Sequence, residues 1–382
     1  MTNTTLEKWE EKTLGEVCEI ISGTTPDTSN DEFWGKGNYW ITPAEINENS
    51  LYINSTARTI TDKAVEYCSL RRMPRGTVLF SSRAPIGKIA ISNVDSLYCN
   101  QGFKNFICSK NIHNKFLYYF LLKSRKYLIS LGKGATFKEV SKSIISTVNI
   151  QYPPLPEQER IVAKLDKSFE AIDKVKANAE QNLNNAKELF ESALNKVFTE
   201  NTEGWEEKTL KEVCKKISAG GDKPENFSKA ITENCEVPIY SNGIENDGLY
   251  GYTDVPAIKE EAITISARGT IGFICKRVKP YYPIVRLISA IPNDHINIDF
   301  MEYALKFMVP TGNGSSIPQL TVPMLKDKKV KYPSLPEQQK IVEKLDALQE
   351  QTKQLEAIYT QKIKECDELK QSILQKAFRG EL

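Results

Sequence analysis

Tyr152-Pro-Pro-Leu-Pro-Glu-Gln-Glu-Arg-Ile-Val-Ala-Lys-Leu-Asp166 returns 180 residues later as Tyr332-Pro-Ser-Leu-Pro-Glu-Gln-Gln-Lys-Ile-Val-Glu-Lys-Leu-Asp346. The register of this repeat holds in both directions. Upstream, Gly132-Lys133-Gly134-Ala135-Thr136 lines up with Gly312-Asn313-Gly314-Ser315-Ser316; downstream, Leu194-Asn195-Lys196-Val197-Phe198 lines up with Leu374-Gln375-Lys376-Ala377-Phe378. The openings of the halves match as well, Trp9-Glu-Glu-Lys-Thr-Leu14 with Trp205-Glu-Glu-Lys-Thr-Leu210. A fainter match joins Ser81-Ser-Arg83-Ala-Pro-Ile-Gly87 to Ser266-Ala-Arg268-Gly-Thr-Ile-Gly272. A repeat of this length signals one architecture used twice. Between the anchors the halves diverge and differ in length, as one scaffold with two unlike recognition surfaces would.

Each Pro-rich turn ends a head and starts a helix. Proline disfavours helix in the residue before it and is tolerated in the first turn, so Pro156 and Pro336 are placed at the first helical position. Glu157 and Glu337 follow, suiting the positive end of a helix. Ile161, Leu165, Ile172, Val175, Ala179, Ala186, Leu189 and Ala193 share one seven-residue frame. Ile341, Leu345, Leu348, Leu355, Tyr359, Cys366, Leu369 and Ile373 repeat it, with Thr352 as an interruption. Such stripes fit helices of roughly 40 residues, about 60 Å long. Two helices with exposed stripes are expected to pack on each other, antiparallel if the halves are related by a pseudo-two-fold axis. Two independent helices, each lying on its own head, are the alternative.

The heads read as mixed. Thr77–Phe80 with Lys88–Ile91, and Ala262–Ile265 with Gly272–Cys275, flank turn residues and have strand character. Phe116–Leu122 and Phe300–Leu305 read as short helices on those strands. The expected fold class is α+β, with two mixed α/β domains (1–156 and 201–336) separated by long helices (157–200 and 337–382) paired as an antiparallel coiled coil.

Composition excludes several classes. The eight cysteines form no Cys-x-x-Cys pair and the histidines are only His113 and His295, against a zinc site, a disulfide framework or a duplicated triad. Those cysteines suit a reducing cytoplasm, and the start of the chain lacks the features of a signal peptide. No apolar run approaches a membrane span. Net charge is +2, but residues 1–156 hold 19 basic against 14 acidic side chains, so the first head alone is basic. The sequence around Tyr152-Pro153-Pro154-Leu155 has the wrong flanks for a methyltransferase base-holding loop, and Gly132-Lys133-Gly134 lacks the spacing of a phosphate loop.

The doubled Tyr-Pro-x-Leu-Pro-Glu-Gln frame, the opening Trp9…Leu14-Gly-Glu-Val17…Ile21-Ser-Gly23 and the ending Ala377-Phe-Arg-Gly-Glu-Leu382 resemble the specificity subunits of type I restriction–modification systems. The resemblance covers essentially the whole chain. It implies two target-recognition domains that each read one half of a bipartite, asymmetric double-stranded DNA site, with the paired helices fixing the gap. It further implies docking of two methyltransferase and two restriction subunits, which use S-adenosylmethionine, ATP and Mg2+. No cofactor, metal site or catalytic residue is implied in this chain. Ser218-Ala-Gly-Gly-Asp222 lacks the proline of the Ser22-Gly-Thr-Thr-Pro26 turn, a departure in the second head.

Candidate DNA-contacting residues follow from type and position. Arg83 and Arg268 occupy matching loops, and either reach guanine edges or phosphate or brace their own hairpins. Lys133, Thr136 and Lys138 lie in a glycine-rich loop suited to phosphate or simply solvated. Their counterparts Asn313, Ser315, Ser316 and Gln319 are polar and uncharged. Asn100, Gln101 and Lys104 form a third cluster, and Arg71, Arg72 and Arg75 a basic one. Thr24, Thr25, Lys88 and Arg286 complete the set. Leu155, Glu157 and Gln158, with Leu335, Glu337 and Gln338, either dock the methyltransferase or cap the helix onto its head. Two other functions stay open: a complete enzyme with cryptic motifs, and a coiled-coil structural adaptor without DNA specificity.

Overall fold

The computed structural model describes residues 9–47, 50–134, 138–200, 202–309, 312–313 and 319–382. Two compact units emerge. One comprises residues 1–178 with 362–382, the other residues 179–361. Each therefore combines one head, the start of one long helix and the end of the other.

The first unit carries a five-stranded sheet in the order Cys18–Ile21, Asn105–Cys108, Val78–Phe80, Ile89–Ser92, Tyr52–Ile53, and a three-stranded sheet ordered Arg58–Ile60, Trp34–Ile41, Leu97–Cys99. The second unit repeats four of the five strands as Cys214–Ala219, Ile288–Pro292, Ala262–Ile265, Ile274–Arg277, with no counterpart of Tyr52–Ile53 among its described residues, and all three of the smaller sheet as Leu249–Thr253, Val237–Tyr240, Tyr282–Pro283. In both small sheets the central strand is antiparallel to one neighbour and parallel to the other. Backbone topology thus persists through the stretches where the sequences do not match. The strand expected from Gly272 starts instead at Ile274, because Gly272 closes the preceding turn with φ +81° and its N–H bonds the Ser266 carbonyl at 3.0 Å. The short helices span Asn114–Lys123 and Ile298–Met308 and bury Phe116, Leu117, Phe300 and Leu305.

The repeated words are the fastenings of each head to its helix. Glu10–Thr13 pairs with Asn149–Tyr152, and Glu206–Thr209 with Lys329–Tyr332, in the same register. The tyrosine that begins the frame donates to the glutamate of the opening strand, Tyr152 to Glu10 and Tyr332 to Glu206, both at 2.9 Å. The aspartate that ends it accepts from a tyrosine of the short helix, Tyr119 to Asp166 at 2.6 Å and Tyr303 to Asp346 at 2.5 Å. Burial, and then the adjoining carboxylate, push both hydroxyls well above the usual tyrosine range, so each remains a donor.

The long helices run Leu155–Thr199 (45 residues) and Leu335–Ala377 (43 residues). Each starts one residue before the proline expected to open it, because the carbonyl of Pro154 or Ser334 already accepts from the N–H groups of Glu157 and Gln158 or Glu337 and Gln338. In the first unit the pairing is antiparallel: Arg160 donates to the Leu382 carbonyl, Asp173 pairs with Lys370, and Lys176 with Asp367. In the second, Leu194 and Phe198 share one core with Val342 and Leu345. The independent-helix alternative fails, since each head is completed by the end of the other helix.

The apolar stripe departs from the sequence frame at Val175, Leu189 and Leu369, which are half exposed. Ile172, Ala179 and Ala186 keep the seven-residue step, but Leu194, Phe198, Leu374 and Phe378 are buried off the frame. A straight helix drifts about 20° per seven residues, and the contact line drifts with it. Thr352, the polar interruption, is buried with its hydroxyl donating back to the helix carbonyls of Leu348 and Gln349.

Candidate nucleic-acid interface

The loops joining the sheet strands gather into one polar cluster in each head. In the first, Ser82 and Arg83 lie beside the Gly102 carbonyl, and Val140 N–H bonds the Ser82 carbonyl at 3.0 Å. In the second, Leu320 N–H bonds the Ala267 carbonyl at the same distance. These bonds superpose the repeat register of 180 on that of Arg83 and Arg268. They bring Glu139 to Arg83 and Gln319 to Arg268.

Arg83 Nε donates to Glu139 Oε2 at 2.9 Å, and the other carboxylate oxygen accepts from Lys104 Nζ at 3.0 Å. Lys104 is buried and also reaches Ser82 Oγ and the Phe103 carbonyl. Lys104 thus lies beside the cluster with its ammonium paired inside the head, where it supports the loop from beneath. Partial burial pushes the Glu139 carboxyl up, and the hydrogen bonds and charges of Lys104 and Arg83 bring it below the usual carboxylate range. In the second head the residue facing Ile265, as Lys104 faces Phe80, is Ile288.

Removing the Glu139 charge strands a buried cation. Glu139→Gln is expected to destabilise the first unit by about 2–3 kcal/mol, below the range for a fully buried pair because the carboxylate is 30% exposed. Lys104→Met in the same chain, imitating the second head, is expected to restore most of it. Urea unfolding of the single and double variants checks this, and equal stabilities would refute it. The contribution is present above the ordinary glutamate range and fades as pH falls through the lowered folded value.

Other candidates sort by placement. Thr25 donates to Gln101 Oε1 at 2.7 Å, while Thr24 is exposed; Asn100 Oδ1 accepts from Gly102 N–H, folding that loop. Lys133 and Lys138 are exposed, with the Lys133 backbone bridged to Glu139. Lys88 Nζ donates to the Ile46 carbonyl at 2.9 Å and braces a loop. Arg71 pairs with Glu19, Arg75 with Asp95 at 2.8 Å, and Arg72 donates to the Asp95 carbonyl, so this basic cluster is held within the head. Arg286 is exposed at a strained tip. It and Val285 have φ of 62° and 52°, held by bonds to the carbonyls of Gly220 and Gly221 and by Asn242. Asn313 pairs through its backbone with Thr270. Thr136, Ser315 and Ser316 lie outside the described residues.

Gln158 and Gln338 take the capping role, one of the two expected for them. Each is fully buried. Gln158 accepts from His113 N–H and donates to the Asn111 and Pro153 carbonyls; Gln338 does the same with Asn297, His295 and Pro333. Their amides lock helix to head, with both N–H groups and the oxygen engaged by backbone out of reach of solvent. Leu335 remains 43% exposed beside a groove of about 600 Å³ that Tyr332, His295 and Glu337 also line.

Sequence reasoning overlooked Glu139 and Asn242. Glu139 was readable as the counterpart of Gln319; Asn242 lies in a stretch with no match. Also overlooked were stacked cations: Arg58 sits 3.5 Å from the Trp34 ring centre, and Lys229 3.8 Å from that of Tyr250. Among the described residues no group of three or more His, Cys, Asp or Glu could hold a metal, and no helix is long and apolar enough to cross a membrane.

These features define a duplicated protein in which matched α+β scaffolds display unlike polar loop clusters. The family model for the type I restriction modification DNA specificity domain matches residues 6–185 and 202–365. The chain belongs to that family. Among its relatives, the type I restriction enzyme MjaIX specificity subunit of Methanocaldococcus jannaschii is 36% identical over 60% of this chain and 56% of its own length. The type I specificity subunit S.MpnORF507P of Mycoplasma pneumoniae is 34% identical over 63% of this chain and 65% of its own. The matched stretches thus span less than two thirds of these relatives. In fold, the chain is similar to one from a structure described as the basis of complex assembly and conformational transition of the type I R-M system (TM-score 0.84, 23% identity, 99% and 100% of the two chains covered). The HsdS subunit of Thermoanaerobacter tengcongensis also matches (TM-score 0.63, 24% identity, 98% and 97% covered).

Proposed function

We propose that this chain is the sequence-reading subunit of a type I restriction–modification complex. Each head binds one half of a bipartite site on double-stranded DNA, and the paired helices hold the halves at a set gap. Methylation and cleavage belong to the partners: two methyltransferase subunits using S-adenosylmethionine, and two restriction subunits using ATP and Mg2+. The chain itself contributes no catalytic group and works in the cytoplasm, where its DNA and partners are. The observation that carries this reading is the contrast inside each head. The tyrosine, aspartate and glutamine fastenings are repeated bond for bond, while the loop clusters differ in side-chain type, as two readers of different half-sites require.

DNA contacts are assigned to Thr24, Thr25, Asn100, Gln101, Lys133 and Lys138 in the first head, and to Arg286, Asn313 and Gln319 in the second. Exposed Leu335 and Glu337, with Leu155 and Glu157, are assigned to methyltransferase docking, supported by the groove beside Leu335. The test is the adenine methylome of a host carrying this chain and its methyltransferase, before and after residues 20–150 are exchanged for those of another family member. One half of the methylated site is expected to change and the other to stay. A change in both halves overturns the division of labour, and methylation without sequence preference returns the chain to a structural adaptor.

A further inference from the structure

We propose that Arg83 and Arg268 are a matched pair of phosphate-contacting residues, one per head, and that neither reads bases. This rests on the DNA-reading function proposed above and divides its contacts into those that grip and those that discriminate.

Three observations point the same way. First, the two arginines belong to the shared frame. Their loops follow equivalent strands, Val78–Phe80 and Ala262–Ile265, and are tied by equivalent backbone bonds from Val140 and Leu320 at 3.0 Å. Apart from Ser81, Ile86 and Gly87, matched by Ser266, Ile271 and Gly272, the loop residues around them differ between heads. A feature that two readers of different sequences hold in common serves what their ligands hold in common, and in duplex DNA that is the sugar–phosphate backbone.

Second, charge at this position survives a change in its surroundings. The first head has two cations, Arg83 and Lys104, and one carboxylate, Glu139; the second has Arg268 with the neutral Gln319 and Ile288. Each leaves one net positive charge. The buried lysine and its counter-ion are present together or absent together, and the arginine is retained in both. An anionic ligand makes that demand.

Third, each guanidinium is steered and yet available. Arg83 is anchored to Glu139 through Nε with its side chain 46% exposed, and Arg268 is exposed beside Gln319 Oε1 at 3.4 Å. Glu139 keeps Lys104 as its partner when Arg83 turns to a phosphate, so the move strands no buried charge.

The experiment uses the full chain assembled with its methyltransferase, and two duplexes: one carrying the methylated site, the other a scrambled site of equal length. Affinity is measured from low to moderate salt for wild type, Arg83→Gln, Arg268→Gln, the double variant and the Arg→Lys variants. Each Gln variant is expected to lower the slope of log affinity on log salt by about 0.9, the double by about twice that, with the same fold-loss on both duplexes. The Lys variants are expected to keep the slope. A loss confined to the specific duplex makes the arginines base readers and overturns the proposal. So does an unchanged slope, whether accompanied by a lowered unfolding midpoint (a brace) or by loss of the methyltransferase (a docking residue). Should Arg83→Gln fold poorly, Arg268→Gln and Arg83→Lys still decide it. If wild type prefers neither duplex, the DNA-reading function itself fails, a result distinct from a normal wild type with unaltered variants.

Discussion

Phe378→Ala is expected to destabilise the first unit by about 3–5 kcal/mol, although the residue lies more than 200 positions from the head it completes. Its ring is 4.9 Å from Phe116 and 5.9 Å from Phe120, the core of the short helix of the first head. Trp9 adds to the cluster, 6.3 Å from Phe116. With Leu374 and Ala377 fully buried beside it, the site has little room to collapse into the space a lost ring leaves. The second unit offers an internal control. There Phe198 fills the same role, 5.4 Å from Phe300 and 5.3 Å from Phe307, with Trp205 at 6.0 Å from Phe300. Hydrogen exchange read by mass spectrometry should show Phe378→Ala releasing residues 114–123 while 298–308 stay protected, and Phe198→Ala the reverse. If residues 114–123 keep wild-type protection in Phe378→Ala, the last turn of the second helix is not part of the first head's core.

Gln158→Ala and Gln338→Ala are expected to cost about 3 kcal/mol each, and nearly the same amount as each other. The side chain is polar, fully buried and completely used: one accepted bond from a backbone N–H, two donated to backbone carbonyls. Truncation leaves these groups out of water without partners, and a buried unpaired polar group costs far more than a hydrogen bond earns on balance. Gln→Glu is expected to be at least as damaging, because a carboxylate repels the Asn111 and Pro153 carbonyls. For a unit of this size the loss corresponds to a midpoint lowered by about 6–12 °C, readable in thermal unfolding. Surface glutamines such as Gln181 and Gln354, which bond within their own helix, are the controls and should shift it little. Matched losses at 158 and 338 support a structural origin for the glutamine of the repeated frame. A neutral result at either would reopen that residue as a docking group.

Much of this was legible because the repeat compares the protein with itself. A residue kept at two places, 180 apart, meets the same local demand twice, and the demands were simple: start a helix after a proline turn and bury one stripe. The antiparallel pairing also followed from the duplication. What the sequence could not disclose was which polar residues face inward. Gln158 and Lys104 have side chains as polar as those of Gln101 and Lys133, and only the packed backbone carbonyls and Glu139 around the former distinguish them.

Nor could the sequence foretell that four strands of the larger sheet and all three of the smaller recur in matched order where identity vanishes, because a ladder is held by backbone groups that any alternating apolar strand supplies. The heptad reading failed at Val175, Leu189 and Leu369 for a related reason: periodicity assigns a face, and the neighbours on the actual contact line decide which residues it buries. Local order along the chain therefore determined the duplication, the helices and the neighbouring strands expected at 77–80 with 88–91 and at 262–265 with 272–275. Tertiary structure alone decided the burial of polar groups, the assembly of each unit from both long helices, and the meeting of Arg83 with Glu139. Those outcomes depend on residues far apart in the chain arriving at one place, and no short window of sequence holds that information.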